Sequence, residues 1–198
     1  MYNYFILSLL LLCQACAPVL FGATSATSVV IAQERTFGDA IDDVTITTKI
    51  KSSFLQKNLG DLFASVNVIT TEGRVLLTGS VTSTELRDEA VKMAWQPKGV
   101  KEVMNEILVA EKTNSINIKD PAIDSWITTQ MESKMLFNKN IKSVNYNVKT
   151  ISGVIYLTGI AQNQEELEEV INTANSISNV KKIVNHVKLK SDPKRDKI

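Results

Sequence analysis

The sequence predicts an α+β protein built from two tandem copies of one small module. Each copy runs helix, strand, strand, helix, strand, with both helices covering one face of a three-stranded sheet. Three observations predict this. The chain repeats itself at an offset of 80 to 81 residues. Within each copy the apolar spacing changes from helical to alternating. Each pair of alternating runs is joined at a glycine.

In the first copy, Asp43 to Leu55 (DVTITTKIKSSFL) places Ile46, Ile50 and Phe54 on one side of a helix. Val66-Asn67-Val68-Ile69 alternates, Glu72-Gly73 turns, and Arg74 to Thr78 completes a hairpin. Gly79, after Leu-Thr, is read as a bend with positive φ before the second helix. Thr82 and Glu85 have the spacing of a capping box. Leu86, Ala90, Met93 and Ala94 form the apolar face of that helix, and Pro97 and Gly99 end it. The last strand runs from Val100 to Val109.

The second copy repeats this order. Asp124 to Leu136 (DSWITTQMESKML) shares Ile-Thr-Thr with the first and buries Ile127, Met131 and Met135. Gly153 matches Gly73, Leu157-Thr158-Gly159 matches Leu77-Thr78-Gly79, and Val180 with Asn185 matches Val100 with Asn105. The offset slips by one residue in the loop between Leu55 and Val66. The organisation read is a signal over 1–16, a tether over 17–37, a first domain over 43–110, a linker over 111–123, a second domain over 124–190 and a basic tail over 191–198. Pro121 opens the second domain's first helix, with Asp120 as its cap.

Composition narrows the chemistry. The chain has 198 residues, and 44% are hydrophobic, which fits a packed globular body rather than a disordered one. Its net charge is +1, so an electrostatic partner must act on a local patch, and nucleic acid is not expected. Both cysteines, Cys13 and Cys16, are N-terminal, and His186 is the one histidine. A disulfide framework, a thiol nucleophile in the body and a closed zinc site are therefore not expected. No nucleophile and base pair, metal motif or phosphate loop is visible, and neither catalysis nor a cofactor is expected. Glu165, Glu166, Glu168 and Glu169 are read as the solvated side of an amphipathic helix, and Trp95 as packing, with the space between the domains as one place for it.

The N-terminal run FILSLLLLC (Phe5 to Cys13) is too short to cross a bilayer as a helix, which takes about 20 residues. It suits the core of a secretory signal. With Ala15-Cys16 behind it, the segment resembles a bacterial lipoprotein signal, which implies lipidation at Cys16. Two features depart from the pattern: Cys13 stands three places before Cys16, and no Lys or Arg precedes the run. Ordinary cleavage further on, or an uncleaved anchor, are the alternatives. Ala17 in place of Asp implies the outer membrane, by resemblance to enterobacterial sorting.

The hairpin glycine, the L-T-G strand end and the closing V-K-x-V-x-N strand together resemble the BON domain. Two such domains behind a lipoprotein signal are similar to the dual-BON outer-membrane lipoproteins, over nearly all of residues 38–190. The resemblance implies a non-enzymatic, lipid-anchored protein on the periplasmic face of the outer membrane, supporting its integrity. It also implies that the second domain's first helix, including a tryptophan, meets anionic phospholipid.

The two copies differ on that helix. Trp126 and Phe137 share a stripe with Gln130 and Ser133, where the first copy has Thr45, Lys49, Ser52 and Gln56. A tryptophan ring suits a membrane interface, apolar across its face with an N–H for a polar partner. Lys134 and Lys139 stand near enough to meet lipid phosphate. The expected phospholipid-binding set is Trp126, Gln130, Ser133, Lys134, Phe137 and Lys139. The alternatives are that Trp126 packs on the first domain, or that the helix binds an envelope protein such as the outer-membrane assembly machinery. Residues 181–198 carry seven Lys or Arg against two Asp and are read either as a solvated, frayed tail or as a further hold on anionic head groups.

Overall fold

The computed structural model describes residues 37–56, 64–110, 121–193 and Arg195. The expected signal, Cys16, most of the tether, the linker over 111–120 with Asp120, and most of the tail lie outside the described residues.

Helix α1, Phe37–Gln56, buries Ile46, Ile50 and Phe54, four residues apart along one side. Strands β1 (Val66–Thr71) and β2 (Arg74–Val81) pair antiparallel, and β3 (Glu102–Val109) pairs parallel with β2. The crossover between β2 and β3 is α2, Thr84–Ala94, which buries Ala90, Met93 and Ala94. The second half repeats this with α3 (Pro121–Phe137), β4 (Tyr146–Ile151), β5 (Val154–Ala161), α4 (Gln164–Asn175) and β6 (Lys182–Leu189). The sheet orders are β1-β2-β3 and β4-β5-β6.

Two local readings need correction. Helix α2 is capped by Ser83, whose hydroxyl accepts from the Leu86 amide, rather than by Thr82. Gly79 and Gly159 lie inside β2 and β5, each of which runs two residues further, so neither ends a strand. Their φ angles are +132° and +140°. A Cβ would meet the main-chain oxygens of Ser65 at 2.0 Å and Asn145 at 2.1 Å, so glycine lets the neighbouring chain cross close by.

Each hairpin turn carries positive φ at both central residues, Glu72-Gly73 and Ser152-Gly153, as two-residue hairpin turns favour. A carboxylate from the first helix of the same domain holds each turn. Asp43 accepts from the amides of Glu72 and Gly73, both at 2.8 Å. Asp124 accepts from Ser152 at 2.6 Å and Gly153 at 2.8 Å. The shared Ile-Thr-Thr acquires a role as well. Thr47 bonds Thr70, and Thr128 bonds Thr150, tying helix to strand in each copy.

The two sheets pack on each other through the faces their helices leave open. On β2, Val75 and Leu77 join the core beneath α1 and α2, while Leu76 joins Met104 and Tyr156 between the sheets. On β5, Ile155 and Leu157 face their own helices, and Tyr156 faces the other domain. The layer order is helix, sheet, sheet, helix.

Polar contacts fix this junction. The buried Arg74 guanidinium donates to Glu102 at 2.7 Å, to the His186 carbonyl at 3.1 Å and to the Met104 sulfur at 3.3 Å. The His186 ring meets Glu106 at 2.9 Å. Arg195 reaches Glu72 of the first domain, which corrects the reading of the whole tail as solvated and frayed. Trp95 is 51% exposed at the end of α2 and is not part of the junction, because sheet faces rather than helix ends make the contact.

Candidate functional site

Helix α3 has a side anchored in its own domain and a side left to solvent. Ile127, Met131 and Met135 are buried under it, and Asp124 and Thr128 tie it to the β4–β5 hairpin. On the outside stand Ile123, Trp126, Leu136 and Phe137, all exposed. Trp126 is 45% exposed and Phe137 83%. Eleven positions apart, they point within about 20° of each other and lie about 16 Å apart along the axis. Neither ring is fully enclosed.

The other expected residues fall around these rings. Gln130 and Ser133 are half-buried. Lys134 is exposed and donates to the Ser176 hydroxyl at 3.1 Å. Ser133, Lys134, Phe137 and Ser176 border a shallow depression of about 420 Å³. Lys139 is exposed in the loop that follows α3. Ile123 and Trp126 border a smaller, mainly apolar depression beside Asn179. On α3 the two rings thus share one direction, with Ile123 and Lys134 about 40 to 80° to one side of them and Leu136 about 80 to 100° to the other.

The loop after α3 is held by residues read above as a solvated acidic face. Glu166 is 4% exposed, and its carboxylate accepts from the main-chain amides of Lys142 at 2.7 Å and Gln162 at 2.6 Å. Glu169 accepts from the side-chain amide of Asn138 at 2.8 Å. Glu165 and Glu168 are exposed, as expected. Burial, together with the negative charge of Glu166, pushes the Tyr146 hydroxyl well above its ordinary value and keeps it protonated. A signal for Glu166 was present in the sequence. It is the counterpart of Leu86 and shares a four-residue spacing with Val170 and Ala174, on the buried side.

The first domain's α1 exposes a different stripe, with Ile41, Val44 and Leu55 outward. The aromatic pair belongs to the second copy, but exposed apolar surface does not. Among the described residues, no cluster of three His, Cys, Asp or Glu side chains is placed to hold a metal ion. No helix among them is long and apolar enough to cross a membrane.

Comparison with known proteins matches the BON domain at residues 42–111 and 123–191. A protein of Haemophilus influenzae named outer membrane lipoprotein DolP is 32% identical over 171 residues, 86% of each chain. A protein of Anaplasma centrale, described as encoded in the gshII 5' region, is 44% identical over 150 residues, 76% of this chain and 96% of its own. Among solved structures, the C-terminal domain of CdsD, a type III secretion protein of Chlamydia trachomatis, aligns with a TM-score of 0.30 at 14% identity. That alignment covers 72% of this chain and 95% of the other.

Proposed function

The chain belongs to the BON-domain family, with one domain in each half, and from that premise we propose a non-enzymatic, lipid-anchored outer-membrane protein that binds anionic phospholipid through α3. One observation carries this reading. Trp126 and Phe137 are exposed in one direction on α3, with Ile123 and Lys134 to one side of them and Lys139 in the loop that follows. Such a cluster resembles an interaction site more than an ordinary soluble surface. Trp126 and Phe137 enter the headgroup region shallowly, while the lysines meet phosphate, each contributing roughly 1 kcal/mol near an anionic surface. The anchor at Cys16 keeps the domain near the bilayer and lets modest intrinsic affinity suffice. The relative named outer membrane lipoprotein DolP supports the compartment.

The test is flotation of the protein with vesicles of phosphatidylglycerol and phosphatidylethanolamine. Binding that needs the anionic lipid and falls at least tenfold in Trp126→Glu is expected. Unchanged flotation by a folded Trp126→Glu protein rejects the reading.

A second reading rests on the exposed stripe of Ile41, Val44 and Leu55 on α1. In that case the chain is a scaffold that holds an envelope protein. Pull-down of that protein in detergent, without vesicles, distinguishes this reading from lipid binding.

A further inference from the structure

Strands β1 and β4 are each one of the two outer strands of their sheet. An outer strand leaves alternate main-chain N–H and C=O groups without a ladder partner. The two edges meet where the Asn147 amide donates to the Thr71 hydroxyl at 3.3 Å. Beside that contact lies a cleft of about 630 Å³ between the domains, away from the rings on α3.

Five consecutive residues of the β4 edge and its turn, Val148 to Ser152, line one side of this cleft. The four of them within β4, Val148 to Ile151, span about 13 Å of extended chain. Facing them are small side chains, among them Ser65 and Ser80 of the first domain and Ser125 of α3. Small walls leave room for another backbone beside the strand. No aromatic ring is among the described lining residues, and saccharide sites usually stack sugar faces on such rings.

The charge in the cleft also has a direction. Asp124 is engaged by the amides of Ser152 and Gly153. Lys149 has no ion-pair partner among the described residues, which leaves it the cation available to an incoming group.

We propose that this cleft takes an extended peptide, added as a further strand to the edge of β4 that pairs with no strand among the described residues, with an acidic side chain of the peptide on Lys149. Main-chain hydrogen bonds supply affinity in such additions, and the pockets for alternate side chains supply selectivity. This inference does not depend on lipid binding, because neither Trp126 nor Phe137 lines the cleft.

Fluorescence anisotropy on the full-length protein tests it. The probe is a labelled, amidated peptide, Val-Thr-Val-Asp-Val-Thr. Two further versions carry N-methyl groups at odd or at even residues, and a fourth replaces Asp with Lys. Only one edge of an added strand faces β4. One N-methyl register should therefore weaken binding about tenfold more than the other. Lys149→Glu should reverse the preference between the Asp and Lys probes while leaving vesicle flotation unchanged. Failure of the wild-type protein to bind the Asp probe overturns the proposal. So does equal loss in both N-methyl registers, or an unchanged preference in a folded Lys149→Glu protein. Binding of N-acetylglucosamine oligomers in place of the peptide, with shifts at Lys149, overturns it in favour of a saccharide.

Discussion

Arg195 and Glu72, 123 positions apart in the chain, share two hydrogen bonds at 2.6 and 3.0 Å, with both side chains largely buried. The same guanidinium donates to the Lys190 carbonyl. The end of the second domain is thereby fastened to the hairpin turn of the first. Arg195→Ala should lower stability by about 1 to 2 kcal/mol, as loss of charged hydrogen bonds usually does. Urea unfolding of Arg195→Ala, Glu72→Ala and the double variant checks this. The double variant should lose less than the sum of the singles. Strict additivity would mean that the pair contributes nothing as a pair.

Asp124 should matter more than an ordinary helix-surface acid. Its carboxylate satisfies two amides that the tight turn leaves without partners. Asp124→Ala should destabilise the protein by about 2 to 3 kcal/mol, and Asp124→Asn by less, because one amide oxygen remains. A chemical-denaturation midpoint equal to that of the parent would contradict this.

Gly159 tests the close crossing within the second domain. Gly159→Ala places a Cβ against the Asn145 carbonyl at a φ of +140°. A loss of about 2 kcal/mol or more is expected from backbone strain alone. Gly79→Ala should behave alike, since its geometry is the same. Thermal unfolding midpoints measure both.

Acid should act on the domain junction. The hydrogen bond from Arg74 holds the Glu102 carboxyl below its ordinary value, outweighing a partial desolvation. The folded state therefore favours the charged form. That contribution is full above the ordinary glutamate range, near pH 4.3, and is lost as pH falls through the lowered folded value. Glu102 is 40% exposed, so the effect is modest. Glu102→Gln should flatten the dependence of unfolding free energy on pH below about 4, read from urea curves at several pH values.

Much of the module was legible because both copies state it twice. The spacing of Ile46, Ile50 and Phe54 and of Ile127, Met131 and Met135 identified the buried sides of α1 and α3. The back-to-back sheets left a weaker sign. Val75-Leu76-Leu77 and Val154 to Leu157 are continuous apolar runs, as expected of strands covered on both faces. Asp43 and Asp124 stand at equivalent positions, yet their role became visible only once the turns had positions in space. Trp95 and Trp126 could not be told apart by residue type. Exposure at a helix end or side depends on which face the other domain covers, and one helix's spacing does not carry that. Glu166 was misread because four acids in a row of five residues suggest water, whereas its place on the wheel, with Val170 and Ala174, pointed inward.

The most direct test of the account is the fluorescence of Trp126 alone, in a Trp95→Phe protein, titrated with vesicles that carry phosphatidylglycerol with brominated acyl chains. A ring that enters the headgroup region should shift its emission to the blue and be quenched, and both changes should weaken with added salt as the lysine contacts are screened. Emission that stays unshifted and unquenched at saturating lipid would contradict bilayer contact through α3.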